Sequence, residues 1–446
     1  LSIQSILQSG QRLLRSLDNR IYLSPEAERW QPEPFVPIEP GDLVAALVRR
    51  HARGDDVGLA GTEPRPANPP DADTKSVEAV YKNFGELLHI RYRPYFTRFA
   101  HRYARIDPDR DTCGLTMATP FPQADGELEE DALQTIQQIA LIAREVLHDA
   151  AYSPISRQDL ETSADVYSHW GIPLQINFDL FDAIVVYVRG DVLGKRAKRR
   201  WQNLYREVLY EVPLYQRVVV MFKLKPGART DDDLDNDMLH LLLFKNIPRD
   251  DVDMLLPGTQ VRFSWVDHLS NFVPALGGIG LTLFKLIKLA LFLAVFTLNI
   301  VLAIAWLCFA LLNYAMRTLI NHWNARNRYL LSLTRNLYQQ KLDCNVGVAC
   351  RLLEEAESQR FREVALAYHV LRNAGVPMTP ESLAERSQRI VRELIGIDIE
   401  FRAGDAIRLL DEWGLILRDP PGYVQTYDPD EVVTRLAAQA EAALQS

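Results

Sequence analysis

From Leu289 to Leu312 the chain runs for 24 residues without a charge (LALFLAVFTLNIVLAIAWLCFALL), and no other stretch restricts the choice of folds so strongly. A helix of that length covers roughly 36 Å, more than the ~30 Å of a bilayer's hydrocarbon core. The expectation is a membrane-spanning segment containing Leu289, Phe292, Phe296, Ile300, Ile304, Trp306 and Leu311. The competing reading is a helix buried in a globular core.

A second apolar stretch, Phe272–Phe284 (FVPALGGIGLTLF), precedes it, joined by a link that carries Lys285 and Lys288. The region 272–316 therefore reads either as one span with a lead-in helix or as a hairpin of two short spans turning near Thr297–Asn299. The C-terminal flank to Leu342 carries Arg317, Arg326, Arg328, Arg335 and Lys341 and no acid, which marks the positive-inside face. A single span would export the residues before it, and Leu1–Arg20 has no continuous apolar core to act as an export signal. That stretch reads either as a mitochondrial presequence or as an ordinary surface helix. A hairpin with both soluble parts on one side satisfies both constraints, in a bacterial cytoplasmic or mitochondrial inner membrane. Its cost is the two lysines, at about 2.5–3.5 kcal/mol each at a bilayer centre and less when they snorkel. Lys285, Lys288, Arg317 and Arg326 are the expected headgroup contacts, so membrane lipid is an expected partner.

Before the apolar region the periodicity predicts helices over Val80–Ile106, broken near Pro94, and over Leu128–Ala151, with a disordered loop over 52–75. The period then shortens. Ile172–Leu180, Ala183–Val188, Arg217–Lys225 (RVVVMFKLK), Met238–Lys245 and Gln260–Trp265 are strand candidates, which makes an antiparallel sheet in an α+β domain. After the membrane segment, Phe361–Asn373, a helix capped by Thr379 with Pro380, an extended piece, Ala403–Trp413 and a hairpin with a DPPG turn follow winged-helix order. The expected division is a mainly helical region 1–164, a sheet region 165–271, a transmembrane hairpin 272–316, a basic juxtamembrane helical region 317–359 and a winged-helix-like domain 360–446.

Charge bounds the partners. The net charge is −8, and 376–446 carries seven Arg against thirteen Asp and Glu. That balance opposes nucleic-acid binding, because phosphate recognition needs a basic surface. A protein partner for the C-terminal domain is the better expectation. The cysteines, Cys113, Cys308, Cys344 and Cys350, lack CxxC spacing, and the nine histidines form no HExxH. The acidic run Asp231–Asp237 lacks the glycine and glutamate of an EF-hand loop. No metal or cofactor is expected.

Phe244–Gly258 (FKNIPRDDVDMLLPG), the following VRFSWVDHL, Asn324–Gly347 (NARNRYLLSLTRNLYQQKLDCNVG), Leu352–Tyr368 and the upstream Tyr187–Gly190 occur in an order that resembles the transmembrane protein 143 family. The resemblance extends over Val80–Gly414 and implies a membrane protein with two spans and no settled activity. Within it, Asn327, Arg328, Tyr329, Tyr338, Asp343 and Asn345 are a candidate site at the membrane surface. Capping and packing account for the same residues, with Asn345 and Gly347 suited to a helix stop or turn.

With no GxSxG, P-loop or GxGxxG, no catalytic residue is assigned. The expected function is a non-enzymatic interaction or scaffold protein at the membrane face. The alternatives are a hydrolase built on Asp179, Asp182, Arg189 and His268, or an ion pathway formed by a homo-oligomer of hairpins.

Overall fold

A computed structural model of the chain describes residues 21–22, 31–53, 71–103, 106–109, 125–156, 174–175, 177–199, 207–228, 234–236, 238–258, 260–261, 288, 309, 313, 340–418 and 422–445. They fall into two compact units. The first comprises 1–156, 179–249 and 342–446; the second comprises 157–178 and 250–341.

The first unit is organised around one long helix, α4 (Asn345–Ala374), which follows α1 (Pro40–Arg53), α2 (Asp71–Tyr103) and α3 (Asp125–Asp149) in the chain. An ordinary surface helix buries one stripe. In α4 every residue from Glu363 to Leu371 is buried, so its second half is enclosed on all sides. It packs against all three earlier helices, against α5 (Pro380–Ile395) and α6 (Ala403–Glu412), and against the sheet. Phe84 of α2 shows how tightly these meet, with its ring 5.5 Å from both Tyr368 of α4 and Trp413. The helix stops at Gly375, whose φ of 63° is a left-handed conformation that a side chain would disfavour.

The sheet has strand order β1 (Ile21–Tyr22), β4 (Phe181–Arg199), β5 (Glu207–Leu224), β6 (Leu239–Pro248) and β8 (Lys341–Cys344), with β2 (Ser153–Ile155) also paired to β4. The pairings of β1, β2 and β5 with β4, and of β6 with β5, are antiparallel. β5 is the central strand. Its Val218–Phe222 are buried on both faces, which explains why the sequence shows an unbroken apolar run there rather than alternation. One face, carrying Tyr187, Val219, Met221, Leu239, Leu241 and Leu243, joins the same core as α4.

In the second unit the described residues form a two-stranded antiparallel ladder, β3 (Leu174–Gln175) with β7 (Gln260–Val261). Val252, Met254, Leu255 and Leu256 are buried.

The helix expected to break near Pro94 continues through it, with Pro94 on an exposed stretch of α2 where solvent can take the place of the missing backbone bond. The DCNVG sequence, expected to end a helix, instead joins β8 to the start of α4. The acidic run lies largely outside the described residues, and among those described no group of three or more His, Cys, Asp and Glu is placed to hold a metal.

The expected fold class, a membrane protein with a transmembrane hairpin between an α+β domain and a winged-helix-like domain, is corrected to a mixed α+β protein of helices and antiparallel sheet. Among the described residues no helix is long and apolar enough to cross a membrane. α2 and α4 have the length, at 33 and 30 residues, but charged side chains recur along both. Of 272–316, Lys288, Phe309 and Asn313 are described, each helical and exposed. Leu289, Phe292, Phe296, Ile300, Ile304, Trp306 and Leu311, with Lys285, Arg317 and Arg326, lie outside the described residues.

The integral-membrane localisation read from the charge flanks therefore has no span to rest on among the described residues. Length and absence of charge are necessary for a span, yet a helix buried in protein meets the same two criteria. The helices and hairpin expected of the winged-helix-like region occur in that order. Residues 360–446 share one core with α1 and α2, and α7 (Pro429–Gln445) packs along α2.

Candidate functional site

One gathering of charge among the described residues lies where the helix-facing side of the sheet meets the first half of α4. Side chains two apart on a strand share a face, so Arg189 follows Tyr187 on that side. In register, Arg189 of β4 is directly opposite Arg217 of β5, and Arg217 is directly opposite Lys245 of β6. Three cations thus occupy one rung, an arrangement that like-charge repulsion makes unfavourable by itself. α4 adds Arg351 and, one turn on, Glu355.

Glu355 is the carboxylate to which these cations turn. Its Oε2 accepts the Tyr152 hydroxyl at 2.7 Å and is 2.9 Å from Arg189 Nη2. Its Oε1 faces both Arg217 Nε and Arg351 Nε at 3.7 Å, beyond hydrogen-bond length. Both Nε atoms are buried and lack a hydrogen-bond partner among the described residues. Arg189 itself is fully engaged. It donates to Ala150 O at 2.8 Å and stacks on Phe35 and Tyr152, with centroids 4.1 and 4.5 Å away. Burial pushes the Tyr152 hydroxyl up, well above its ordinary value. Nearby, burial and the Arg189 charge push the Arg362 guanidinium down to about 10, despite the carboxylates around it.

One turn beyond, Arg360 is balanced the opposite way. Its guanidinium, 6% exposed, reaches Asp149 of α3 at 2.5 Å, Glu363 at 2.6 Å and Asp405 of α6 at 3.0 Å. Burial alone pushes the Asp405 carboxyl up, but the Arg360 charge and hydrogen bond more than offset it, and the net shift is downward. A depressed carboxyl contributes stability above its unfolded pKa and loses it as pH falls through the folded one. The stability difference between the native chain and Asp405→Asn is therefore expected to be constant above the ordinary carboxyl value of 3.8 and to shrink below it. Urea titrations between pH 3 and 7 on both chains measure it, within the ordinary carboxylate range. A difference that grows on acidification contradicts the assignment.

A third polar hub is the β8–α4 junction. Asn345 has a φ of 48° and is 5% exposed. Its Oδ1 accepts Leu241 N and faces the Tyr103 hydroxyl, both at 3.2 Å, and its Nδ2 donates to Asp109 Oδ2 at 2.7 Å. Tyr103 donates more closely to Leu239 O, at 2.7 Å. Asp343 accepts Cys344 N at 2.9 Å, and its carboxylate occupies the space a Cβ at Gly347 would need.

Of the expected membrane-surface site, then, Asp343 and Asn345 are structural residues of a helix start, while Asn327, Arg328, Tyr329 and Tyr338 lie outside the described residues. Of the hydrolase candidates, Asp179 and Asp182 are exposed, Asp182 pairs with Lys223 at 3.6 Å, Arg189 is buried against Glu355, and His268 lies outside the described residues. The three described residues do not converge. Sequence reading missed Arg217, Lys245, Arg351, Glu355, Arg360 and Glu363. For the last four the signal was present as charges three and four apart on a helix otherwise rich in apolar residues.

Residues 215–347 match the profile of a family described as Protein of unknown function (DUF3754). The match spans less than half of the chain, from the start of the β5–β6 pairing to the first turn of α4, and includes Arg217, Lys245 and Asn345. No curated protein matches, and no solved structure matches. Nothing in these comparisons indicates the transmembrane protein 143 family, so that resemblance is corrected: the chain is similar, over 215–347, to the family of unknown function.

Proposed function

We propose that the chain is a non-enzymatic interaction protein that presents a surface to a protein partner. The observation that carries this reading is where exposed apolar side chains are placed. Among the described residues, Val376, Ile395, Leu417 and Tyr423 are large hydrophobics left 36–40% exposed within one 48-residue stretch of the C-terminal region. Leu417 and Tyr423 belong to the hairpin of β9 (Ile416–Leu417) and β10 (Gln425–Thr426), where Gln425 pairs with Leu417. Meanwhile the Arg360 network ties α3, α4 and α6 together, which suits a body that holds its shape while it binds.

The test is affinity purification of the full chain beside a Leu417→Ser/Tyr423→Ser double variant, whose melting temperature should match the parent because both side chains are exposed. A stoichiometric partner retained by the parent and lost by the variant is the expected result. Hydrolytic turnover of an ester, peptide or phosphoester that disappears in Asp182→Asn would overturn it.

A further inference from the structure

The geometry points to a binding site for a phosphoryl anion on the cationic rung, with Arg217, Lys245 and Arg351 as its contacts and Glu355 as their internal spacer. It stands independently of the interaction reading. Three observations carry it.

The first is the charge balance. Arg189, Arg217 and Arg351 surround one carboxylate, Glu355, both of whose oxygens already face guanidinium groups, and Lys245 stands directly opposite Arg217 on the next strand. Direct opposition of Arg189, Arg217 and Lys245 across three strands is unfavourable in an unliganded sheet, and a bound anion reverses its sign. The second is incomplete engagement. Arg189 has stacking rings, a carbonyl and a carboxylate. Arg217 donates Nη1 to Gln216 O at 3.1 Å, but it and Arg351 stand off from the shared Oε1 at 3.7 Å, with their Nε atoms lacking a hydrogen-bond partner among the described residues. The third is access. The side chains of Arg217 and Arg351 are 27% and 40% exposed, and Lys245 is half-buried, so an anion reaches their exposed parts from solvent while the two Nε atoms stay buried.

The chemistry selects a phosphoryl group. Guanidinium forks bind phosphate oxygens in pairs, and a lysine adds a point charge. The local excess of positive charge suits a dianion better than a single carboxylate. A long polyanion is disfavoured, because the whole chain is acidic at −8 and would repel charge beyond the patch. The ligand is therefore a small one, either free phosphate or a metabolite ending in a phosphomonoester.

Calorimetry and thermal melts of the full chain test this, with inorganic phosphate and phenyl phosphate each compared with sodium chloride at matched ionic strength. Saturable one-to-one binding is expected. Arg351→Gln and Lys245→Gln should each weaken it about tenfold, the loss of one charge-assisted contact. Without phosphate, Lys245→Gln should melt at or above the parent temperature, because it relieves like-charge repulsion. A merely structural lysine would lower both. Phenyl phosphate binding at least as tightly as phosphate assigns the site to a phosphomonoester, and weaker binding assigns it to free phosphate. Phosphate acting no differently from chloride overturns the site, as does unchanged affinity in both variants.

Discussion

Arg360→Met is expected to lower the unfolding free energy by about 3–5 kcal/mol, the range for removing one member of a buried charge network. The size follows from what is left behind. Glu363 is 1% exposed and has Arg360 and Gln359 as its polar contacts, at 2.6 and 2.9 Å. Burial already pushes its carboxyl up, against the pull of Arg360. Without the guanidinium it must fold as an unpaired charge or take up a proton. Asp149 keeps the Tyr92 hydroxyl at 2.5 Å but loses its cation, and α6 loses its tie through Asp405.

A double change, Arg360→Met with Glu363→Met, removes both charges while keeping volume, and should cost clearly less than the sum of the single changes. Urea denaturation followed by the fluorescence of Trp413, buried against Phe84, gives all three values. A single-variant cost under about 1 kcal/mol would contradict the network's role. The pH dependence separates the carboxyls by sign. Asp405, depressed, stabilises above its ordinary range, whereas Glu363, raised, gains stability as pH falls toward its ordinary value from above.

How far the sequence could anticipate this depends on whether each contact is local. The Thr379–Pro380 start of α5 was readable because a cap is a three-residue event, and Thr379 Oγ1 does accept Ser382 N at 3.3 Å. The β5 run RVVVMFKL was readable because burial on both faces leaves a continuous apolar signature. The cationic rung was not. Arg189, Arg217 and Lys245 are 28 residues apart at each step, and only strand register makes them neighbours. A one-residue slip would have put them on different faces.

The uncharged segment Leu289–Leu312 lies, Phe309 apart, outside the described residues, and its pattern alone left two readings open. Hydropathy reports what a helix avoids, water, and not which apolar medium it meets. The C-terminal elements were legible in their order but not in their packing. Their sequence of helices and hairpin is the same whether they close on themselves or, as Trp413 on Phe84 shows, build onto a helix more than 300 residues earlier.

The junction at Asn345 was half legible, since DCNVG signals a backbone change without saying of which kind. Asn345→Ala is expected to cost about 3 kcal/mol, from two separable sources. Loss of the amide leaves the buried Leu241 N–H without its acceptor, and removes the donor to Asp109. The φ of 48° adds a penalty for alanine that asparagine largely escapes and glycine escapes entirely. Asn345→Gly should therefore be more stable than Asn345→Ala by about 1 kcal/mol although it has fewer atoms, a reversal of the usual helix preference of about 1 kcal/mol for alanine.

Asn345→Asp separates the hydrogen bonds from the backbone. It keeps the acceptor for Leu241 N and the tolerance of positive φ, but sets a carboxylate against Asp109 Oδ2, now 2.7 Å from the amide nitrogen. Its deficit should be largest near neutral pH and shrink toward the ordinary carboxyl range, where one proton lets the pair share a hydrogen bond. Urea denaturation of the three variants at pH 7 and pH 4.5 distinguishes the contributions, the lower value being near the reference for a free carboxyl. Alanine as stable as glycine would remove the backbone argument. An Asn345→Asp deficit indifferent to pH would show that Asp109 does not face this side chain as the geometry places it.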